Sequence, residues 1–457
     1  MANKGDVFLK KLFGTDGVRG IANTELTGDL AYNLGRAGAY VLTKEFDHIP
    51  RILVGMDTRI SGDMLESALS AGICSVGAEV VLVGVVPTPA IAYLVKKYSM
   101  DAGVMISASH NPMEYNGIKF FNKDGYKLKD ELEENIESIL EGGMNEVPVP
   151  VGNAVGSKSY LEDGLEDYIE FLSKSTDIKL EGLKVALDCA NGAAYEVAPL
   201  TLFNLGADVC VIHHEPNGLN INDNCGSTHM EDLKKFVKEN NADIGFAFDG
   251  DADRCLAVDE NGEILDGDKI LSICGIDMKK KRKLNNDTIV GTVMSNLGFS
   301  IMGKENGINI EQADVGDRYV LEKMINGGYN LGGEQSGHII FLDYNTTGDG
   351  VLTAVKLLSV LKDSGKKASE LGNAMEVMPQ VLVNAKVDNL KKNKYMDYPE
   401  IQSAIKAVED KFSSDGRVLI RTSGTEPLVR VMIEGKDKEL IHCEANKLAE
   451  IIEKILQ

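Results

Sequence analysis

Asp249, Asp251 and Asp253, set within Asp249-Gly250-Asp251-Ala252-Asp253-Arg254, are the densest group of potential ligands in the chain. At alternate positions on a near-extended backbone their carboxylates point to one side, where they repel unless a cation sits among them. All-oxygen donors suit a hard ion such as Mg²⁺. An EF-hand loop competes, because Glu260 falls at its twelfth position. Arg254 stands where that loop needs glycine, however, and the flanking runs 246–248 and 256–258 read as strands, not helices. A solvated turn is the other alternative.

A second group lies in Ser107-Ala108-Ser109-His110-Asn111-Pro112, followed by Asn116-Gly117-Ile118-Lys119-Phe120-Phe121. Ser109 is a possible nucleophile, and Lys119 could return across the Asn-Pro turn to face it. A Ser/Asn-rich connecting loop is the bland alternative. A serine hydrolase would pair Ser109 with His110, but the Gly-x-Ser-x-Gly elbow is missing.

Two further loops offer ligand contacts. In Gly332-Gly333-Glu334-Gln335-Ser336-Gly337-His338 the glycines let backbone approach a ligand closely, and Glu334 could accept from two neighbouring hydroxyls. In Arg421-Thr422-Ser423-Gly424-Thr425-Glu426-Pro427-Leu428-Val429-Arg430, hydroxyls and backbone N–H groups around a glycine form an anion-accepting concavity flanked by arginines. Polar turns without ligand are the alternatives. Phe13-Gly14-Thr15-Asp16-Gly17-Val18-Arg19 is a weaker signal, since Asp-Gly turns are common.

Apolar periodicity places these loops at the ends of strands. Thr27 opens a helix with Leu30, Leu34, Ala37, Val41 and Leu42 on one face. Strand 52–55, a helix capped by Ser61, strand 79–86, a helix opened by Pro87-Thr88-Pro89, and strand 102–106 then alternate as a parallel α/β unit. Helix 128–140 precedes a Gly/Val/Pro-rich linker, 142–156. The pattern repeats with strand 185–187, helix 193–205, strand 209–212, helix 230–240 and strand 244–248. A third round has strand 288–293 with helices near Lys269, Phe299 and Tyr319, before helix 350–361. The last segment reads as a small α+β unit: strand 381–387, helix 401–412, strands 418–421 and 429–433, helix 440–456.

At 457 residues the chain exceeds one core. Hydrophobic content of 43% and charged content of 26% are ordinary for a soluble globular protein. No apolar run reaches the roughly 18 residues of a membrane span, and residues 1–6 lack a signal-peptide core. A net charge of −22 argues against nucleic acid. The one basic run, Lys279-Lys280-Lys281-Arg282-Lys283, suits a helix C-terminus. Seven cysteines without a Cys-x-x-Cys spacing fit a reduced cytoplasm.

The serine loop, the Asp-Gly-Asp-Ala-Asp-Arg loop, the Gly-Glu-Gln-Ser-Gly-His loop and the Arg-Thr-Ser-Gly-Thr-Glu-Pro loop together resemble the α-D-phosphohexomutases along the whole chain. The resemblance implies three similar α/β domains with mixed, mainly parallel sheets, and a smaller C-terminal α+β domain, around a central cleft. Their expected bounds are 1–155, 156–260, 261–377 and 378–457. It implies a phosphoserine at Ser109 and one Mg²⁺ per chain on Asp249, Asp251, Asp253 and Ser109. Lys119, Arg19 and His338 join Ser109 as catalytic residues. Glu334 and Ser336 become sugar contacts, and Arg421, Ser423, Gly424, Thr425 and Arg430 a phosphate site. The implied reaction moves phosphate between the 6- and 1-positions of an amino sugar, on the route to UDP-N-acetylglucosamine, with a sugar bisphosphate as activator. Mannose or glucose phosphates are the alternative substrates. A non-enzymatic sugar-phosphate sensor would need neither the serine nor the metal set. The expected partner is a small sugar phosphate, in the cytoplasm, with neither nucleic acid nor membrane; a homodimer is left open.

Overall fold

The computed structural model describes residues 12–14, 16–412, 416–423 and 426–457. It divides into two compact units. One comprises the chain up to Met294 together with Asn309–Ala374, and the other Ser295–Ile308 with Met375–Gln457.

The first unit holds three sheets. The largest runs in the order Phe13–Gly14, Gly17–Ile21, Tyr115–Asn122, Ala102–Ile106, Arg51–Met56, Glu79–Val85, Lys158–Tyr160. Its second half is parallel, as the βαβ pattern requires, whereas Tyr115–Asn122 returns antiparallel to Ala102–Ile106. The serine loop is therefore the connection of a hairpin. The edge strand Lys158–Tyr160 lies past the expected boundary at 155, so this sheet borrows from the following segment. The second sheet runs Ile264–Leu265, Cys255–Asp259, Ile244–Phe248, Lys184–Asp188, Asp208–Ile212, and the third Asn309–Ala313, Thr288–Thr292, Leu331–Gly333, Ile339–Phe341. In each of these two, the ligand-bearing loop joins an antiparallel pair: 249–254 after Phe248, and 334–338 after Gly333.

Local chemistry accounts for most elements. Thr27 Oγ1 accepts from Leu30 N and starts helix Gly28–Thr43. Ser61 does not cap helix Gly62–Ser75 with its side chain; its hydroxyl accepts from Asn116 Nδ2 instead, 2.9 Å away. The amphipathic helix Gly164–Lys174, which buries Tyr168, Ile169 and Leu172, was absent from the expected elements, as was strand Asn309–Ala313. Asp349 caps the largely buried helix Gly350–Ser364 through Leu352 N. Its other oxygen accepts from Tyr168 Oη at 2.8 Å and Asn345 Nδ2 at 3.0 Å. Asn345 Nδ2 also donates to Pro89 O, which ties the start of helix Thr88–Lys97 to the same cluster.

In the second unit, strands Gln380–Lys386, Leu428–Gly435 and Gly416–Thr422 form an antiparallel sheet in that order. Helices Pro399–Phe412 and Lys438–Leu456 pack on it around Ile401, Val431, Ile433, Leu448 and Ile452. Helix Leu297–Asn306, expected to serve the third α/β segment, packs here. Asn296 donates to Met378 O and Glu434 Oε1, both at 3.0 Å, and accepts from Met378 N. Arg417 pairs with the second oxygen of the buried Glu434.

Helices Gly28–Thr43 and Gly62–Ser75 approach backbone to backbone. A Cβ on Gly72 would meet Tyr32 O at 2.1 Å, while one on Gly28 would find only ordinary contact with Ala68, at 3.8 Å. Gly72→Ala should therefore cost about 1–3 kcal/mol by overpacking and lower the thermal midpoint. Gly28→Ala should leave the midpoint unchanged or raised; equal effects would disprove the close approach.

Candidate active site

Ser109 is buried and sits at φ +52°, a conformation costly for a residue with a Cβ. The surroundings enforce it. Ser109 N donates to Ser107 Oγ, whose hydroxyl donates to Asp57 Oδ2. The fully buried Arg59 pairs through Nε with Asp57, at 2.9 Å. Its remaining donors go to carbonyls of the serine loop: Pro112 and Tyr115 from one terminal nitrogen, Ser109 and Asn111 from the other, at 2.6–3.1 Å. Asn222 Nδ2 donates to the same Ser109 and Asn111 carbonyls, both at 2.9 Å. Sequence reasoning passed over Asp57, Arg59 and Asn222. The signal available was Asp57-Thr58-Arg59 directly after strand Arg51–Met56, a charged pair at the mouth of an apolar strand.

The aspartate loop is a tight turn with Ala252 at φ +53°, not the near-extended segment expected. The turn itself brings one oxygen from each of Asp249, Asp251 and Asp253 within 4.8 Å of the others, all buried. Gly250 is needed because a Cβ there would meet Ser109 O at 2.6 Å. Ser109 Oγ donates to Asp249 Oδ2 at 2.6 Å, so the serine and aspartate loops interlock. Glu260 takes no part. Its carboxylate accepts from Ser369 N and Oγ, which removes the EF-hand alternative.

Charge balance at this centre is local. Buried Lys119 does not point at the Ser109 hydroxyl; its Nζ reaches Asp251 Oδ2 at 2.7 Å and Asp16 Oδ2 at 2.9 Å. Thr88 Oγ1 donates to the same Asp251 oxygen. Burial pulls the Lys119 ammonium pKa down, but Asp16, Asp251 and Asp253 more than offset this and raise it. Burial and the two neighbouring carboxylates push Asp249 well above the usual range. Burial also opposes ionisation of Asp253, yet His338, Lys119 and Arg254 hold it well below. Asp251 Oδ1 and Asp253 Oδ1 are buried and accept no hydrogen bond. Two orphaned carboxylate oxygens beside a third carboxyl that favours its proton are what a hard cation would correct. This acidic triad fits a metal ion.

Around it stands a second ring. Arg19 pairs with Asp16. Lys127, which sequence reasoning missed, bridges Asp16 and Asp317. His338 is buried with Nδ1 3.5 Å from Asp253 Oδ2, and its Nε2 accepts from Gly348 N at 3.0 Å. Arg254 donates to His110 Nδ1 at 3.1 Å, while that nitrogen lies 3.5 Å from Ser109 Oγ. Burial and the Arg254 charge lower the His110 pKa. The lone pair a hydrolase would use on the serine is thus committed to Arg254. Glu334 is half-buried, with Oε1 accepting from Gly316 N at 3.0 Å, and Ser336 is exposed beside it.

The anion-accepting loop lies in the second unit. Arg421 and Arg430 stand directly opposite in the antiparallel pair, and Arg430 pairs with Glu426 at 3.2 Å. Ser423 Oγ accepts from Glu426 N, and the buried Lys392 donates to Ser423 O and Glu426 O, at 2.7 and 3.1 Å. Lys392 gave no sequence signal, being one of several lysines in 391–394. Gly424 and Thr425 fall outside the described residues, as does Thr15.

All seven cysteines are free thiols. Among the described residues no helix is long and apolar enough to cross a membrane.

The sequence matches four domain families described as phosphoglucomutase/phosphomannomutase: α/β/α domain I over residues 10–146, domain II over 166–262, domain III over 266–378, and the C-terminal domain over 382–451. It is 65% identical to a phosphoglucosamine mutase of Ruminiclostridium cellulolyticum over 443 residues, covering 97% of this chain and 99% of the relative. A phosphoglucosamine mutase of Acetivibrio thermocellus is 62% identical, with 98% and 99% covered. A phosphoglucomutase/phosphomannomutase family protein of Burkholderia thailandensis superposes with a TM-score of 0.81 at 25% identity, covering 97% of each chain. The fold is also that of Aspergillus fumigatus N-acetylphosphoglucosamine mutase in complex with GlcNAc-6P and magnesium (TM-score 0.66, 17% identity, 98% and 96% covered). With four matched domains in order and relatives of this identity along its whole length, the chain belongs to the phosphoglucomutase/phosphomannomutase family of phosphohexomutases, in the branch of the phosphoglucosamine mutases.

Proposed function

We propose that this chain interconverts glucosamine 6-phosphate and glucosamine 1-phosphate through a phosphoserine at Ser109 and a bound sugar bisphosphate. The observation that carries the reading is the buried Ser109 hydroxyl, 2.6 Å from Asp249 Oδ2 beside two orphaned carboxylate oxygens. A serine hydroxyl given to a carboxylate, with the one imidazole beside it committed to Arg254, suits phosphoryl exchange better than hydrolysis. The 65% and 62% identities favour the amino sugar over mannose or glucose phosphates.

In the forward direction the sugar O1 attacks phosphorus on Ser109. The P–O bond to Ser109 breaks as the P–O1 bond forms, and the proton lost by the O1 hydroxyl is balanced by the one that Ser109 Oγ takes up. The bisphosphate reorients while bound; Ser109 Oγ then attacks its 6-phosphorus, the P–O6 bond breaks, and O6 takes the proton that Oγ gives up. Such transition states are loose, so positioning and charge matter more than a strong base. Lys119, its pKa raised, acts as an ammonium that stabilises the transferring oxygens. Asp249, Asp251 and Asp253, with an oxygen on Ser109, would hold one Mg²⁺ per chain, which when bound neutralises phosphoryl charge. Arg19 and His338 complete the catalytic set, His338 kept in place by Asp253 and Gly348. Glu334 and Ser336 hold the sugar in both orientations. Arg421, Ser423, Gly424, Thr425 and Arg430 hold the phosphate that is not reacting.

A sugar bisphosphate would prime Ser109 as activator. Free cysteines and bacterial relatives support a cytoplasmic location. The domains span 1–155, 156–260, 261–377 and 378–457, a division supported by one principal sheet per segment.

Assays of the purified chain against glucosamine, glucose and mannose 6-phosphates test the substrate, and preference for either neutral sugar would overturn it. Ser109→Ala should abolish turnover and phosphate incorporation while the thermal midpoint holds; phosphopeptide mapping to Ser107 would reassign the nucleophile. Asp251→Asn should weaken Mg²⁺ binding and depress the rate, so full activity at limiting Mg²⁺ would rule out this loop as the site. Lys119→Ala should lower kcat by on the order of 10²–10³, as loss of a transition-state donor does. Arg421→Ala should mainly raise KM. Matching kinetics in the two variants would dissolve the distinction between transfer site and holding site.

A further inference from the structure

A second cluster of ligand-bearing side chains lies in the same sheet as the aspartate loop and serves no step above. Asp188 ends strand Lys184–Asp188, and His213 follows the neighbouring strand Asp208–Ile212. Cys225 precedes the short turn Gly226–Thr228. One ligand atom of each lies within 4.8 Å of the other two. Asp188 and Cys225 are fully buried, and the His213 side chain is 26% exposed.

The plain alternative is a histidine–aspartate ion pair with a thiol beside it. The convergence of three different ligand atoms goes beyond such a pair. His213 Nδ1 is buried and faces Asp188 Oδ2 at 3.1 Å, off the line of an ideal hydrogen bond, and this carboxylate raises the histidine pKa. The other ring nitrogen points towards the carboxylate of Asp232, 3.6 Å away. One oxygen, one nitrogen and one sulfur suit Zn²⁺ and not Mg²⁺, which prefers oxygen alone.

We infer that Asp188, His213 and Cys225 form a structural site for a borderline-soft divalent cation of the Zn²⁺ class, chemically separate from the all-carboxylate set of the active centre. Its position gives it a purpose. Asp188 accepts from Ala190 N and Gly226 N, both at 2.9 Å, and so gathers two loops at one carboxylate. Ala190 O accepts from Asn222 N, and Asn222 in turn holds the Ser109 carbonyl. Ala193 N donates to Gly250 O in the aspartate loop. A cation joining Asp188, His213 and Cys225 braces the two loops that hold the serine and aspartate turns.

The test is a Co²⁺ titration of the full chain, stripped of metal and kept in excess Mg²⁺ so that the carboxylate set is occupied. A thiolate-to-cobalt absorption band in the near ultraviolet, displaced by Zn²⁺, is expected. The band should vanish in Cys225→Ser and persist in Cys443→Ser, which removes an exposed thiol. His213→Ala, at the partly exposed corner, keeps the test open if the buried serine variant fails to fold. It should weaken Co²⁺ binding by at least the roughly 10–100-fold that even an outer partner of a ligand is worth. No band in the unaltered chain, a band that survives Cys225→Ser, or unchanged affinity in His213→Ala overturns the inference.

Discussion

Everything at the active centre depends on keeping three buried carboxylates within a few ångströms of one another. In a protein interior such charges interact strongly, and each pays a desolvation penalty. The chain resolves the conflict with neighbours, not with its overall charge, which is acidic. Lys119 joins Asp251 to Asp16, Lys127 joins Asp16 to Asp317, and His338 sits against Asp253. The network leaves Asp249 favouring its proton and two oxygens without hydrogen bonds. It is therefore an incomplete balance, one positive ion short, and this shortfall is the strongest physical argument for a metal at that point.

The network also explains why the first unit is built from three sheets. Lys119 and Asp16 come from the first, Asp249, Asp251 and Asp253 from the second, and His338 from the third. Each side chain is delivered by a loop at a strand end, where backbone is free of ladder constraints while the strand itself is fixed. Asp349 performs the complementary task at a distance from the chemistry. It takes hydrogen bonds from Tyr168 and Asn345 and caps helix Gly350–Ser364, whose first N–H donates to Ala252 O in the aspartate loop.

Much of this was legible in the sequence, for reasons that differ by residue. Strands such as Ile244–Phe248 and helices such as Gly28–Thr43 announce themselves through apolar period and caps. Ser109, Asp249, Asp251, Asp253 and Glu334 stand in loops dense in glycine and polar groups. What stayed hidden was the support. Arg59 and Lys127 are single charged residues whose importance comes from partners many positions away. Gly164–Lys174 carries an amphipathic pattern, but it follows a Gly/Val/Pro-rich linker that blurs where the next segment begins. The aspartates converge through a turn with Ala252 left-handed, a conformation that alanine does not advertise. Helix Leu297–Asn306 joins the C-terminal unit because of Asn296 and Glu434, and no local pattern reports a contact 138 residues away.

The hold of Arg59 on the serine loop has a kinematic consequence. All five of its side-chain N–H donors are engaged, four of them on carbonyls of residues 109–115, and the guanidinium is completely enclosed. A loop fastened along its carbonyls cannot swing to carry a phosphoryl group from one end of a hexose to the other. The donor atom is stationary, like the fixed jaw of a vice. In the proposed reaction all travel then falls to the sugar, which must exchange ends while remaining in reach of one immobile oxygen.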